Sequence, residues 1–187
     1  MANHHLILGG QRSGKSRHAE ALAQAWLHRT PGHEAVLVAT AQAHDEEMHA
    51  RIARHRADRA RRVPALRTLE EPQHLPEALA AQAAAHRLLV VDCLTLWLTH
   101  LLMPAQGEAL DDAAWAAQQA ALCTALRDAP GPVVLVSNEI GLGVIPPSPE
   151  ARRFVDALGL LHQQVAAECA RVTLMVAGLP LAVKGAA

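Results

Sequence analysis

Eight residues constrain this chain more than any others: Gly9-Gly10-Gln11-Arg12-Ser13-Gly14-Lys15-Ser16, preceded by the apolar Leu6-Ile7-Leu8 and followed by an Ala-rich stretch. A glycine, four residues and then Gly-Lys-Ser is the spacing of a phosphate-binding loop set between a strand and a helix. Gly9 and Gly14 let the backbone turn where a Cβ would obstruct it, so that successive N–H groups converge on phosphate oxygens. The helix starting at the loop turns its unpaired N–H groups and positive dipole end on the same anion. Lys15 places a charge on the outer phosphates, and the Ser16 hydroxyl is the expected Mg²⁺ ligand. A chance glycine-rich turn is the alternative, and the strand before and helix after argue against it.

The rest of the chain alternates in the same way. Strands are expected over residues 4–8, 35–40, 88–91, 133–137 and 172–177, the last being the final strand. Several are continuous apolar runs, as suits strands covered on both faces. Helical patterns fall over residues 15–29, 45 to about 58, 75–86, 94–103, 111–128 and 150–170. Residues 59–72 read as a basic, irregular connection, and 138–149, rich in Gly and Pro, as a loop. Strands separated by helices predict βαβ crossovers, hence one α/β domain over residues 1–187 with a mainly parallel sheet and helices on both faces. Ligands bind such sheets at the C-terminal ends of the strands, where Gly9, Thr40, Asp92 and Asn138 fall.

Composition excludes several classes. With 51% hydrophobic and 19% charged residues the chain is globular, and a net charge of −1 gives no general attraction to nucleic acid or anionic membrane. No apolar run is long enough to span a membrane, and no N-terminal signal segment is evident, so a cytoplasmic protein is expected. Cys93, Cys123 and Cys169 are far apart and read as buried free thiols. Twelve histidines raise the thought of metal handling, but no pair has a supporting acidic or Cys partner at ligand spacing, and most are expected to be exposed.

Asp92 closes the apolar run Leu88-Leu89-Val90-Val91, where phosphate-loop enzymes carry a Mg²⁺-binding acid; the alternative is a cap for the helix near Leu94. Met48, Ile52 and His55 recur at helical spacing, which would turn one face toward the protein. A histidine in such a stripe is usually structural, yet a neutral imidazole nitrogen can attack phosphorus and form a phosphoramidate. Arg54, Arg56 and Arg59 stand near it. Glu70 could accept hydrogen bonds from guanine N1–H and the 2-amino group, but as a residue alone it reads as a solvated charge at a helix start.

The segments GGQRSGKSRHAE, VAT, DEEMHARIARHRADR, EEP, VDCLTLWLT, VSNEIGLGVIP and VAGLPLAVK, in this order between Leu6 and Lys184, resemble the bifunctional adenosylcobinamide kinase/adenosylcobinamide-phosphate guanylyltransferase family. The resemblance implies two reactions of late cobalamin synthesis. ATP or GTP phosphorylates the aminopropanol hydroxyl of adenosylcobinamide. GTP then guanylylates an enzyme histidine, and the GMP passes to the phosphorylated corrinoid. By position that histidine corresponds to His55. The nucleotide-binding set corresponds to Gly9, Gly10, Gln11, Arg12, Ser13, Gly14, Lys15 and Ser16, then Thr40, Ala41 and Gln42, Arg56, Ala57, Asp58 and Arg59, Glu70 and Asp92. Lys15 and His55 carry catalysis, and Ser16 and Asp92 bind Mg²⁺. A homotrimer is also implied. This chain has Ala60 and Leu66 where the family commonly has Pro and Trp, and His162 where Asn is frequent. A different phosphate-loop small-molecule kinase, or a nucleotide-switch ATPase or GTPase module, is the rival reading.

Overall fold

The computed structural model describes residues 3–43 and 45–185; His44 lies outside them. Its elements run β1 (His5–Gly9), α1 (Lys15–Arg29), β2 (Glu34–Ala39), α2 (Glu46–Arg62), β3 (Leu66–Glu70), α3 (Leu75–Gln82), β4 (Arg87–Asp92), α4 (Leu94–Leu102), α5 (Asp112–Asp128), β5 (Val133–Val136), α6 (Pro149–Glu168), β6 (Arg171–Val176) and β7 (Leu179–Lys184). The strands form one sheet in the order β3-β2-β4-β5-β1-β6-β7, parallel throughout except that β7 returns antiparallel along β6.

Strand side chains alternate between two buried layers, as the period of two requires. Leu6, Val36, Val38, Leu89, Val91, Val133 and Leu135 face one core with Leu75, Trp97, Trp115, Leu122 and Leu158 of α3 to α6. Ile7, Ala35, Leu37, Leu88, Val90, Val134 and Val136 face the other, where α1 supplies Ala19 and Ala23 and the end of α2 is followed by Val63. Small alanines at the α1 contact let that helix lie close to the strands it follows. Trp97 is fully buried and its indole N–H still finds the Gln73 carbonyl at 2.8 Å, so the largest core side chain carries no unpaired donor.

Side chains fix several helix starts. Asp45 accepts from Met48 N at 2.7 Å, Asp111 from Ala114 N at 2.8 Å, and Ser148, followed by Pro149, from Ala151 N at 3.2 Å. The front of α1 has no such side-chain cap.

Four expectations from the sequence need correcting. The stretch read as irregular contains β3, an edge strand paired only with β2 that buries Leu66 and exposes Arg67 and Thr68; an edge position needs no continuous apolar run. β6 is not the last strand: Ala177 and Gly178, both at positive φ, form the two-residue turn that suits a hairpin and lead into β7. Helix α3 stops at Gln82, because Ala83 turns extended and Ala84 pairs with Arg87. Helix α2 continues to Arg62, and its arginines complement the negative end of the helix dipole.

Candidate active site at the ends of β1, β2 and β4

Gly9 ends β1 with its Cα pressed against the neighbouring strand: a Cβ there would come within 2.6 Å of both the Met175 carbonyl and Ser13 Oγ. Gly14, at φ 100°, begins α1 in a conformation that a side chain would strain. Between them Ser13 is buried and Gly10, Gln11 and Arg12 are exposed. The β6–β7 turn props the loop, Gly178 N–H donating to the Ser13 carbonyl at 3.0 Å.

Buried Lys15 folds back on the loop, its ammonium donating to the carbonyls of Gly9 at 2.8 Å and Gly10 at 2.7 Å. Desolvation pulls its pKa below the ordinary lysine value; nearby Cys93 and Asp92 pull it back up, and Arg51 of α2 adds to the lowering. Ser16 and Asp92 are half-buried beside it. Asp92 also favours the charged form of Arg59. The capping alternative for Asp92 does not occur: α4 is entered through Cys93 and has no side-chain cap.

Thr40 is buried and acts as a clamp. Its N–H donates to the Asp92 carbonyl at 3.1 Å, while its hydroxyl donates to Cys93 O and accepts from Cys93 N, both at 2.8 Å. That hydroxyl is committed to tying β2 to β4, so Thr40 positions Asp92. Ala41, Gln42, Ile52, Arg56, Glu70 and His100 line a cavity of about 850 Å³ beyond these strand ends. The volume falls within the range of small-molecule sites. Glu70 sits at the end of β3 rather than at a helix start and pairs with Arg56 across the cavity rim. In the turn ahead of α3, Glu71 accepts from Gln73 N at 3.0 Å and His74 N at 2.8 Å.

On α2, the Met48–Ile52–His55 stripe does not pack inward as expected. Met48 and Ile52 are half-buried, His55 is exposed, and the one buried residue of the helix is Arg59, which donates to Thr68 Oγ1 at 3.1 Å. Burial lowers the Arg59 pKa, while Glu20 and Asp92 oppose that shift. Ala57 is exposed, and Asp58 pairs with Arg61. Arg51, His55 and Arg59 follow one another at i, i+4 and i+8, so they share a face of α2 distinct from the cavity-lining Ile52 and Arg56. Arg51 is felt by Lys15, and Arg59 by Asp92. His55 therefore projects between two arginines whose charges reach the phosphate-loop end of the site.

The histidines differ from expectation in the same direction. His4, His5, His100 and His162 are buried and His18 and His33 half-buried, because each buried ring has a hydrogen-bond partner or a packing neighbour inside. Among the described residues no group of three or more His, Cys, Asp or Glu could hold a metal. The three cysteines are buried and free, as expected.

One cluster escaped sequence reasoning. Ser137, Glu139, His162 and Thr95 meet at the C-terminal end of β5, with Ser137 Oγ 2.7 Å from His162 Nε2 and 3.1 Å from Thr95 Oγ1. Two of the four sit far away in sequence, on α4 and α6. The only local signal was polar residues immediately after the Val-Val-Leu-Val strand.

A glycine-rich loop between the first strand and helix, a lysine on its carbonyls and an acid at the end of β4 define a phosphate-loop nucleotide-handling protein. A profile of the family described as cobinamide kinase / cobinamide phosphate guanyltransferase (CobU) matches residues 5–183. The chain is 51% identical over 180 residues to the bifunctional adenosylcobalamin biosynthesis protein CobP of Pseudomonas aeruginosa, covering 96% of both chains. It is 38% identical over 188 residues to the bifunctional adenosylcobalamin biosynthesis protein CobU of Escherichia coli K12, covering 96% of this chain and 98% of that one. Among solved structures, the flagellar accessory protein FlaH of Methanocaldococcus jannaschii is a loose likeness, with a TM-score of 0.48 at 13% identity over 98% of this chain and 78% of that chain. The chain belongs to the cobinamide kinase / cobinamide phosphate guanyltransferase family.

Proposed function

We propose that this chain, working as one domain, carries out both transfers at the strand edge formed by β1, β2 and β4. In the first, the hydroxyl of the cobinamide aminopropanol arm attacks the γ-phosphorus of ATP or GTP, and the nucleoside diphosphate leaves. In the second, a nitrogen of His55 attacks the α-phosphorus of GTP and pyrophosphate leaves. A phosphate oxygen of the phosphorylated corrinoid then displaces His55, releasing adenosylcobinamide-GDP. The observation that carries this reading is the α2 face: His55 stands between Arg51 and Arg59, whose charges reach Lys15 and Asp92.

The individual residues have matching roles. On nucleotide binding Lys15 exchanges the carbonyls of Gly9 and Gly10 for phosphate oxygens, so its charge is already in place when negative charge develops. Amides from Gly10 to Ser16, with Gln11 and Arg12 exposed at the tip, wrap the phosphates. Ala41, Gln42 and Glu70 suit a guanine base in the cavity. The exposed Arg56–Glu70 pair yields to the base at little cost. The Ser16 hydroxyl and Asp92 carboxylate are oxygen donors of the kind Mg²⁺ takes, and Asp92 already faces cationic groups here. Mg²⁺ bound there would neutralise phosphate charge.

Among the described residues no helix is long and apolar enough to cross a membrane. Exposed Leu179, Leu181 and Val183 line one face of β7, and Leu142, Val144 and Ile145 protrude from the loop before α6. Apolar surface of this extent marks an interaction site and suits a homotrimer.

Family membership sets aside the unrelated-kinase and switch readings. Incubating the protein with adenosylcobinamide, GTP and Mg²⁺ and following corrinoid masses tests the rest. The phosphate and then the GMP adduct are expected, and Lys15→Met should slow phosphorylation by about 100-fold or more. No corrinoid product from the unmodified chain would overturn the reading.

A further inference from the structure

We propose that Glu139 is the general base of the kinase step, its carboxylate held by the Gly141 N–H and faced by the ring of His162, which a one-way chain of hydrogen bonds fixes in orientation. The chain begins at a backbone amide. Asn138 N–H donates to Thr95 Oγ1 at 2.8 Å, so the Thr95 hydroxyl hydrogen is free for its other neighbour, Ser137 Oγ, at 3.1 Å. Ser137, already accepting from Thr95, gives its own hydrogen to His162 Nε2 at 2.7 Å. The imidazole must then carry its proton on Nδ1, and Nδ1 points at Glu139 Oε2, 3.7 Å away. No other assignment lets every hydroxyl both donate and accept. Burial disfavours the charged form of His162, which agrees with a neutral ring of fixed tautomer.

The far end of this chain is beside the phosphate loop. Ser137 N–H donates to the Ile7 carbonyl, and Glu139 N–H to the Gly9 carbonyl, at 3.0 Å each. Gly9 O is also the acceptor for the Lys15 ammonium, at 2.8 Å. The backbone of Glu139 and the ammonium of Lys15 are thus anchored on the same carbonyl oxygen, which puts residue 139 directly beside the phosphate loop. Glu139 Oε1 is held by Gly141 N–H at 2.7 Å. The gap from Oε2 to Nδ1 exceeds a hydrogen bond, which leaves an oriented, partly exposed oxygen able to take a proton.

The two reactions of the family place different demands on such a group. The kinase nucleophile is an alcohol that keeps its proton at neutral pH. As its oxygen bonds to the γ-phosphorus and the bridging P–O bond breaks, that proton passes to Glu139 Oε2 and then to solvent. The acceptor in guanylyl transfer is a phosphate already ionised, with no proton to remove. A base at Glu139 therefore serves one activity only. The assignment rests on the kinase half of the family's chemistry and not on His55.

The test uses the full chain and measures the halves separately: phosphorylation of adenosylcobinamide, and transfer of GMP from GTP to pre-formed adenosylcobinamide phosphate. Glu139→Gln should lower kcat for phosphorylation by about 100-fold or more, leaving KM for the triphosphate and the rate of GMP transfer within about threefold. Phosphorylation within about threefold of the unmodified chain would overturn the proposal, as would equal losses in both halves, which mark a residue that merely shapes the loop. His162→Gln should lower phosphorylation kcat by about tenfold and add nothing in the Glu139→Gln background, because a positioning residue acts only through the group it positions. Equal effects in both backgrounds would overturn the His162 link. Turnover by the unmodified chain in the same assay separates these results from a failure of the kinase reading.

Discussion

At the scale of single residues, the interior of this protein is organised by polar groups that the sequence disguises. His5 is buried with Nε2 2.8 Å from Thr173 Oγ1, and desolvation, with the charges of Arg171 and His18, pushes its pKa down to about 4. His4, His18 and His162 are shifted in the same direction, each chiefly by burial. In the unfolded chain a histidine titrates near 6.5. Between that value and 4 the unfolded state binds a proton that the folded state refuses, so stability is full above pH 6.5 and falls as pH drops. His5 alone should make the fold about 2 kcal/mol less stable at pH 5 than at pH 7.5. Guanidinium unfolding at the two values checks this, and an unchanged midpoint would contradict it. None of this was legible in the sequence, because a histidine beside apolar residues looks the same whether or not a partner waits across the sheet. Lys15, by contrast, was legible, since its role is fixed by neighbours one to six residues away.

At the scale of elements, the strands that read clearly were the central ones. β2, β4 and β5 are flanked on both sides by other strands and covered on both faces, so burial wrote nearly unbroken apolar runs into them. β3 and β7 lie at the two edges of the sheet, and their exposed faces removed the pattern. In β7 this exposure has a consequence, because Leu179, Leu181 and Val183 present apolar surface on an edge strand, where association is the usual outcome. Light scattering should find the protein oligomeric. The double variant Leu181→Lys, Val183→Lys should shift it to monomer without unfolding it, since neither side chain is buried in the isolated subunit. A monomeric unmodified protein would contradict the proposed assembly. Helix α2 was legible as a helix but not in its orientation: Met48, Ile52 and His55 suggested an inward stripe, whereas Arg59 is the residue that docks.

At the scale of the whole molecule, a parallel sheet with crossover helices brings the ends of β1, β2, β4 and β5 to one edge, and chemistry collects there from distant parts of the chain. The phosphate loop, Asp92 and the Ser137–His162–Glu139 chain share that edge, with the cavity beside Arg56 and Glu70 on one side. Sequence spacing announced the loop, and the resemblance to a family pointed to His55, which no local pattern distinguishes from a structural histidine. The central claim is that His55 carries the nucleotide between the two reactions. It is tested most directly by incubating the protein with α-labelled GTP and Mg²⁺, denaturing it, and searching for protein-bound label beside a His55→Ala variant. The account predicts acid-labile, alkali-stable label, as a phosphoramidate requires, absent from the variant while triphosphate binding is retained. Label that persists in His55→Ala, or no label on an unmodified protein that binds GTP, would contradict it.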